Sequence, residues 1–554
     1  MSWKIVEKYR RRLAAETGAV PKNWGGKLTV CLVYPNRYRV AMGNLGFQTI
    51  YALLNAFPDV VCERAFLPEP EELAEYEKSR TPLLSLESQR SLADFDLLAF
   101  SVSFESDYLH IPAIFSLSGI PPLAADRDAS FPLVMAGGAA LFLNPEPVAD
   151  FMDLVCVGEG EPILPPLLAV LKKGGGRDAL LREAAVLPGV YVPSFYEADY
   201  DGARLAAFRP LPGAPPRVRR VWEAELDRRP TTSVVLSPDA EFADMFLIEL
   251  SRGCPRGCRF CAAGFIYLPY RQRAVEAVKS DVVRGLAERG RIGLVGAAVS
   301  DYRGIGELCR HILSYGGKVS VSSLRIDGLD GGMIEMLKES GHKTVALAPE
   351  GGSQRLRDLI NKNIDEEQIL AACDRLIGQG ILNLKLYVII GLPTETDADL
   401  EELIALVARI RERVIEAAKK ERRLGEIVLS VNPFVPKPFT PFQWCGMEES
   451  KSLERKGKLL REAVGRLSNV RLLMESPKDA YLQALLSRGD RRLAALLVKS
   501  GELGNWKKGA RALGLDTDLL VHRDIPLDEL LPWDFIEGGD RERLVREYRR
   551  AFGE

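Results

Sequence analysis

Short apolar runs that end in glycine or small polar residues recur along the first third of the chain. Lys27–Tyr34, Val60–Arg64, Leu97–Ser103, Phe131–Ala136 and Leu154–Val157 read as buried strands. Helical patterns fall between them at Phe47–Asn55 and near Tyr108–Leu117. This alternation predicts a doubly wound α/β sheet of the Rossmann kind. Two of the runs lead into Gly137-Gly138 and into Gly158-Glu159-Gly160-Glu161. Glycines there let backbone approach a ligand closely.

A second alternating series begins at Phe246–Leu250 and continues with Gly293–Ser300, Lys318–Arg325, Lys343–Ala348, Leu384–Ile390 and Ile427–Asn432. Helical segments separate these runs at Val275–Arg289, Ile305–Ser314, Asp330–Ser340, Ser353–Leu359, Glu366–Gly378 and Asp397–Lys419. Strands that alternate with crossover helices predict a parallel sheet, here a partial (β/α)6 TIM-type barrel. Ligands of such barrels bind at the carboxyl ends of the strands.

Punctuation sets the boundaries. Residues 1–208 hold an N-terminal helix and the first sheet. Residues 209–240 form a linker, whose Arg209–Arg220 stretch is dense in proline and glycine and is expected to lack regular structure. Residues 241–474 form the barrel. Residues 475–554 form a small helical appendage, with helices at Lys478–Arg488, Arg491–Ser500, Trp506–Leu513 and Arg541–Phe552.

Hydrophobic content of 47% and charged content of 27% are those of an ordinary globular protein. No apolar run is long enough to span a membrane, and a net charge of -2 gives no general attraction to nucleic acid. Arginine clusters at 217–220, 488–492 and 546–550 read as solvated faces. The charged start, Met1–Thr17, reads as an amphipathic helix and not as a signal peptide, so a reducing, cytoplasmic setting is expected.

The most informative chemistry is Cys254, Cys258 and Cys261, spaced Cys-x3-Cys-x2-Cys with Phe260 before the last. Three thiolates can hold three corners of a four-iron cluster and leave one iron open to a ligand. A structural zinc site would want a second ligand pair, which the sequence lacks; Cys309 and His311 fall within an apparent helix.

The motif, framed by a strand before and a helix after, resembles the radical S-adenosylmethionine (SAM) superfamily. The resemblance implies a [4Fe-4S] cluster on the three cysteines, with SAM bound at its open iron. It also implies a 5′-deoxyadenosyl radical that abstracts an unactivated hydrogen, and a reducing partner such as flavodoxin or ferredoxin. Glu350, Gly351 and Ser353 match the segment after the fourth barrel strand that reaches SAM. Gly391, with Ile389 before it, matches the adenine-side turn. Ser300 stands where many members hold the SAM amino group, and Arg325 is placed to meet its carboxylate. Phe260 belongs to the motif itself. No catalytic residue is singled out.

The order of the first sheet, Gly137-Gly138 followed by Gly158-Glu159, and the Val435–Trp444 and Leu531–Asp534 segments resemble fused radical SAM proteins of the B12-binding type. That implies cobalamin, with Gly137, Gly138, Gly158 and Glu159 near it, and methyl transfer to an unactivated carbon. The Asp-x-His-x-x-Gly cobalt-ligand motif is absent, and none of the four histidines is flanked that way. Two readings of the first sheet therefore stand: cobalamin held without a histidine, or a Rossmann-like unit for packing or substrate. Two alternatives to the methylase stand as well. One is an RNA-modifying radical SAM protein without cobalamin; the other is a non-catalytic iron–sulfur binding or regulatory module. No substrate is legible, and no residue pattern marks RNA as a partner.

Overall fold

The computed structural model describes residues 1–321 and 324–553. Leu28–Tyr34 (β1), Val60–Phe66 (β2), Leu97–Ser101 (β3), Leu133–Gly137 (β4), Leu154–Cys156 (β5) and Val190–Tyr191 (β6) form one sheet. Its strand order is β2-β1-β3-β4-β5-β6, parallel except at the β6 edge. Its strands are buried throughout the middle of the sheet; Val30, Val33 and Leu98 are fully covered. The helix Trp3–Ala14 closes one side with Ile5, Val6 and Tyr9. Inside this unit Arg64 is held between Glu16 (2.6 Å) and Glu87 (2.7 Å).

The connection to the barrel is more ordered than its proline content predicts. Tyr196–Asp201 (β7) and Arg204–Pro210 (β8) make an antiparallel hairpin, so Arg209 and Pro210 end a strand. Val218–Arg219 (β9) forms another short strand. Partners elsewhere in the chain supply the hydrogen bonds that local composition does not.

The barrel opens with Phe246–Glu249 (β10). Two short strands, Ser251–Arg252 (β11) and Arg271–Gln272 (β12), follow as an antiparallel pair. Arg291–Val295 (β13) and Lys318–Val321 (β14) complete a parallel group with β10. Thr344–Glu350 (β15), Asn383–Ile390 (β16), Ile427–Pro433 (β17) and Val470–Met474 (β18) form the second parallel group. Ser322 and Ser323, part of the expected third strand, lie outside the described residues. β18 adds a strand beyond the six read from sequence; it sits at the edge, where its residues are only half covered.

The C-terminal helices are woven into both units. Ile536–Glu537 (β19) pairs with β9. Arg491 holds buried Glu146 of the first unit (3.1 Å), and Asn144 Nδ2 donates to the Gly489 carbonyl (2.7 Å). Arg488 is 4% exposed, so the 488–492 cluster is an internal clamp and not a solvated face. Arg220 is likewise buried, unlike its neighbours Arg217 and Arg219.

Candidate active site at the cysteine loop

The β11–β12 pair closes the cysteine loop at its base. Gly253 follows β11 with φ +83°, and a Cβ there would lie 2.5 Å from the Tyr267 carbonyl oxygen. Only glycine makes that turn without moving backbone. The end of the helix Gln354–Leu359 pins the other side. Arg259 N donates to the Ile360 carbonyl (2.9 Å), and Asn361 Nδ2 donates to the Gly257 carbonyl (2.9 Å).

All three cysteines are free thiols near one another. Burial pushes the Cys261 thiol up to about 11 and raises Cys254 too, while the amides of Arg256 and Ala263 pull against it. Iron binding must therefore displace protons. Among the described residues, no three His, Cys, Asp or Glu side chains gather as a single ion requires. A cluster asks for less convergence, because each thiolate meets a different iron. The donor set fits that group.

The strand ends fall into two groups around the loop. On one side Arg256 pairs with Asp301 (2.6 Å), and Ser300 Oγ accepts from the Arg325 amide (3.2 Å). Arg325 itself is held by Asp327 (2.9 Å). Asp301 and Arg325 are both close enough to Cys254 to perturb its thiol. On the other side Glu350 is near enough to Cys261 to raise its thiol and lies 3.5 Å from Lys362 Nζ. Glu350 has φ +64°, a left-handed conformation that a non-glycine residue adopts at a cost. Burial raises its carboxyl, and Lys362 opposes the rise.

The turn after Glu350 is rigid. The carbonyls of Gly351 and Gly352 accept from Arg357 Nη1 (3.2 and 3.1 Å). Ser353 is fully buried: its hydroxyl donates to Asp399 (2.5 Å) and accepts from the Leu356 amide (3.2 Å). It acts as a helix cap facing away from solvent. Gly391 has φ +72°, and its amide donates to Glu395 (2.8 Å). Phe260 and Ile389 join one apolar cluster with Leu356, Leu392 and Phe434.

A cavity of about 880 Å3 lies where the carboxyl ends of the first sheet face those of β10, β13 and β14. Gly137, Gly138, Gly158 and Glu159 line it, with Phe104, Phe142 and Tyr267 among its apolar walls. Among the described residues, no histidine lines it. Glu159 is turned toward arginines: its carboxylate accepts from Arg252 Nη1 (2.7 Å) and from Arg271 Nη2 (2.7 Å). Arg252 also holds Glu161 (2.6 Å) and Glu249 (3.0 Å).

Sequence reading missed this clamp. Its arginines flank the motif, but Glu159 and Glu161 lie about ninety residues upstream of Arg252, and no spacing rule connects them. It also missed Ser251, whose buried hydroxyl lines the cavity without a hydrogen-bond partner. An orphaned buried hydroxyl in a cavity wall is a place for a ligand atom.

Comparison with known proteins follows the same division. A family profile for the radical SAM superfamily matches residues 248–407, and one for the N-terminal region of radical SAM proteins matches residues 46–193. An uncharacterised protein of Methanocaldococcus jannaschii is 32% identical over 483 residues, covering 84% of this chain and 90% of its own length. A tRNA-2-methylthio-N(6)-dimethylallyladenosine synthase of Maricaulis maris is 26% identical over 200 residues, 32% of this chain and 43% of that protein. Among solved structures, the radical SAM methyltransferase TsrM of Kitasatospora setae aligns over 88% of this chain and 99% of its own, with 14% identity and a TM-score of 0.49. With both halves matched and the cysteine loop in place, the chain belongs to the radical SAM superfamily of enzymes.

Proposed function

We propose that Cys254, Cys258 and Cys261 hold the [4Fe-4S] cluster and that the chain is a cobalamin-dependent radical SAM methylase acting on an unactivated carbon. One observation carries the cobalamin part: the 880 Å3 cavity joins the strand ends of the first sheet directly to the strands beside the cysteine loop. Its walls are mostly apolar. Gly138 is required by the protein's own backbone and not by a ligand, since a Cβ there would stand 2.3 Å from the Val102 carbonyl oxygen. Gly137, Gly138, Gly158 and the apolar wall residues Phe142 and Tyr267 would hold a corrin there, and it would supply methyl-carrying chemistry.

The chain's own residues have defined tasks in this reading. The cluster, when bound and reduced, supplies the electron that cleaves SAM to a 5′-deoxyadenosyl radical. Glu350, fixed by the Arg357-braced turn, meets the polar part of SAM, and Ile389 and Gly391 shape the apolar side. Arg325 and Ser300 face the Cys254 side and can meet a carboxylate and an amino group. The Arg252–Glu159–Arg271 clamp keeps the loop against the cavity, so substrate and radical source share one water-poor space.

Anaerobic reconstitution with iron, sulfide and hydroxocobalamin tests the reading. Cobalt retained stoichiometrically after desalting, alongside a full complement of iron, supports it. Iron without cobalt sinks the methylase. That result would favour an RNA-modifying radical SAM reaction, a reading motivated by the partial similarity to the Maricaulis maris tRNA-modifying enzyme.

A further inference from the structure

A second cavity, of about 1080 Å3, lies between the β9 segment, the loop after the cysteines and the C-terminal Leu527–Leu544 stretch. Nothing in the radical SAM reading uses it. Its walls mix aromatic residues, Phe208, Trp222, Phe265 and Trp533 among them, with arginines and carboxylates. Arg217, Arg219 and Arg543 stand exposed around it, and among the described residues none of them makes a salt bridge. Arg220 is different, being 5% exposed.

Among the described residues, the Arg220 guanidinium has no hydrogen-bond partner, its buried Nη1 included. Only its backbone amide is engaged, donating to the Glu537 carbonyl (3.0 Å). Gly538 leaves room beside it: a Cβ there would stand 3.4 Å from Arg220 Nε. The negative groups nearby are occupied. Glu159 is held by Arg252 and Arg271. Glu529 is paired with Arg523, and Asp534 with Arg541. Asp540 caps the last helix by accepting from Arg543 N (3.0 Å). Asp528 and Glu537 are exposed. Burial pushes the Arg220 guanidinium down to about 10, and the charge of Glu159, already hydrogen-bonded to Arg252 and Arg271, partly opposes this without a direct contact. It still carries its charge at neutral pH.

A buried, unpaired guanidinium is costly unless something outside the chain completes it. A planar fork of N–H donors matches a carboxylate or phosphate. Trp222 and the phenylalanines offer flat apolar surface for an attached body. We propose that this cavity binds an oxyanion-bearing organic molecule, its anionic group on Arg220 and its apolar body against Trp222 and Phe265. The site lies beyond the short helix Ala263–Ile266 and the turn that follows it from the cysteines, and is independent of whether cobalamin is bound.

The test uses the full chain in anion-poor buffer, with thermal melting and calorimetry. Inorganic phosphate, acetate and phenyl phosphate are titrated in the millimolar range. The proposal expects phosphate or acetate to raise the Tm and phenyl phosphate to bind more tightly than inorganic phosphate. Whichever simple anion acts identifies a phosphate or a carboxylate ligand. Arg220→Gln should melt higher than wild type without anion, because it removes an unpaired buried charge, and should lose the anion-dependent rise. Trp222→Ala should remove the phenyl phosphate advantage while keeping the response to the simple anion. If Arg220→Gln fails to fold, Arg220→Lys carries the test, with binding weakened about tenfold by loss of the fork. No Tm rise with any of the three anions overturns the proposal. So does a rise that persists unchanged in the folded Arg220 variant.

Discussion

Glu159→Gln separates a clamp from a cofactor contact. In the wild type the Glu159 carboxylate accepts from Arg252 Nη1 (2.7 Å), Arg271 Nη1 (3.0 Å), Arg271 Nη2 (2.7 Å) and the Glu223 amide (2.9 Å). The amide keeps the shape but removes the charge and turns an NH2 toward guanidinium donors. Breaking one partner out of a buried ion pair costs about 3–5 kcal/mol. Glu159 is 6% exposed, so solvent screening offsets little of that. The assay is urea unfolding of the anaerobic protein, with iron per chain after reconstitution.

Arg252 stands two residues before Cys254, so the loosened loop should also hold less iron. pH adds a sign. Burial alone would raise the Glu159 carboxyl, but Arg271 and Arg252 hold it below the usual range. A carboxyl lowered in the folded state stabilises above its unfolded pKa and loses that contribution as pH falls through its folded value. Wild type should lose part of its stability below about pH 4.3, and the variant should lack that part at neutral pH. A stability loss under about 1 kcal/mol with full iron would refute the clamp. Full iron with lost cobalt would instead assign Glu159 to the cofactor.

Three further outcomes are expected. Cys258→Ala should remove the cluster absorbance and leave far-UV circular dichroism unchanged, since the loop rides on a barrel with its own core; full iron content in that variant would mean the ligand assignment is wrong. Glu350→Ala should weaken SAM binding about tenfold, equivalent to one lost charge-assisted hydrogen bond, without loss of iron; an unchanged SAM affinity by calorimetry would remove Glu350 from the site. Gly138→Ala forces a Cβ to within 2.3 Å of the Val102 carbonyl oxygen at φ +115°. It should cost about 1–3 kcal/mol in urea unfolding and lower cobalt retention, and a neutral substitution would mean that this wall yields.

Much of the architecture was legible because its signals are local. Parallel strands buried on both faces write themselves as apolar runs, as at β1 and β3. Asp330 capping its helix through Met333 N is another local signal. What escaped depends on long-range pairing or on misleading punctuation. Pro165 and Pro166 hid the helix Gly160–Leu171. The β7–β8 hairpin was missed although Asp201-Gly202 is a turn signal between its strands. β18 alternates weakly as an edge strand, and the arginines at 220, 488 and 491 look like surface until distant carboxylates, carbonyls and walls are brought to them. The cysteine motif was visible because its spacing is a sequence property. The clamp behind it and the orphaned Ser251 hydroxyl were not, because neither has one.

The most direct measurement is SAM cleavage by the reconstituted, anaerobically reduced chain, with 5′-deoxyadenosine quantified by mass spectrometry. Release from wild type and none from Cys258→Ala is the expected result. A chain fully loaded with iron that binds SAM but releases no 5′-deoxyadenosine would contradict the assignment of this loop as a radical-generating site.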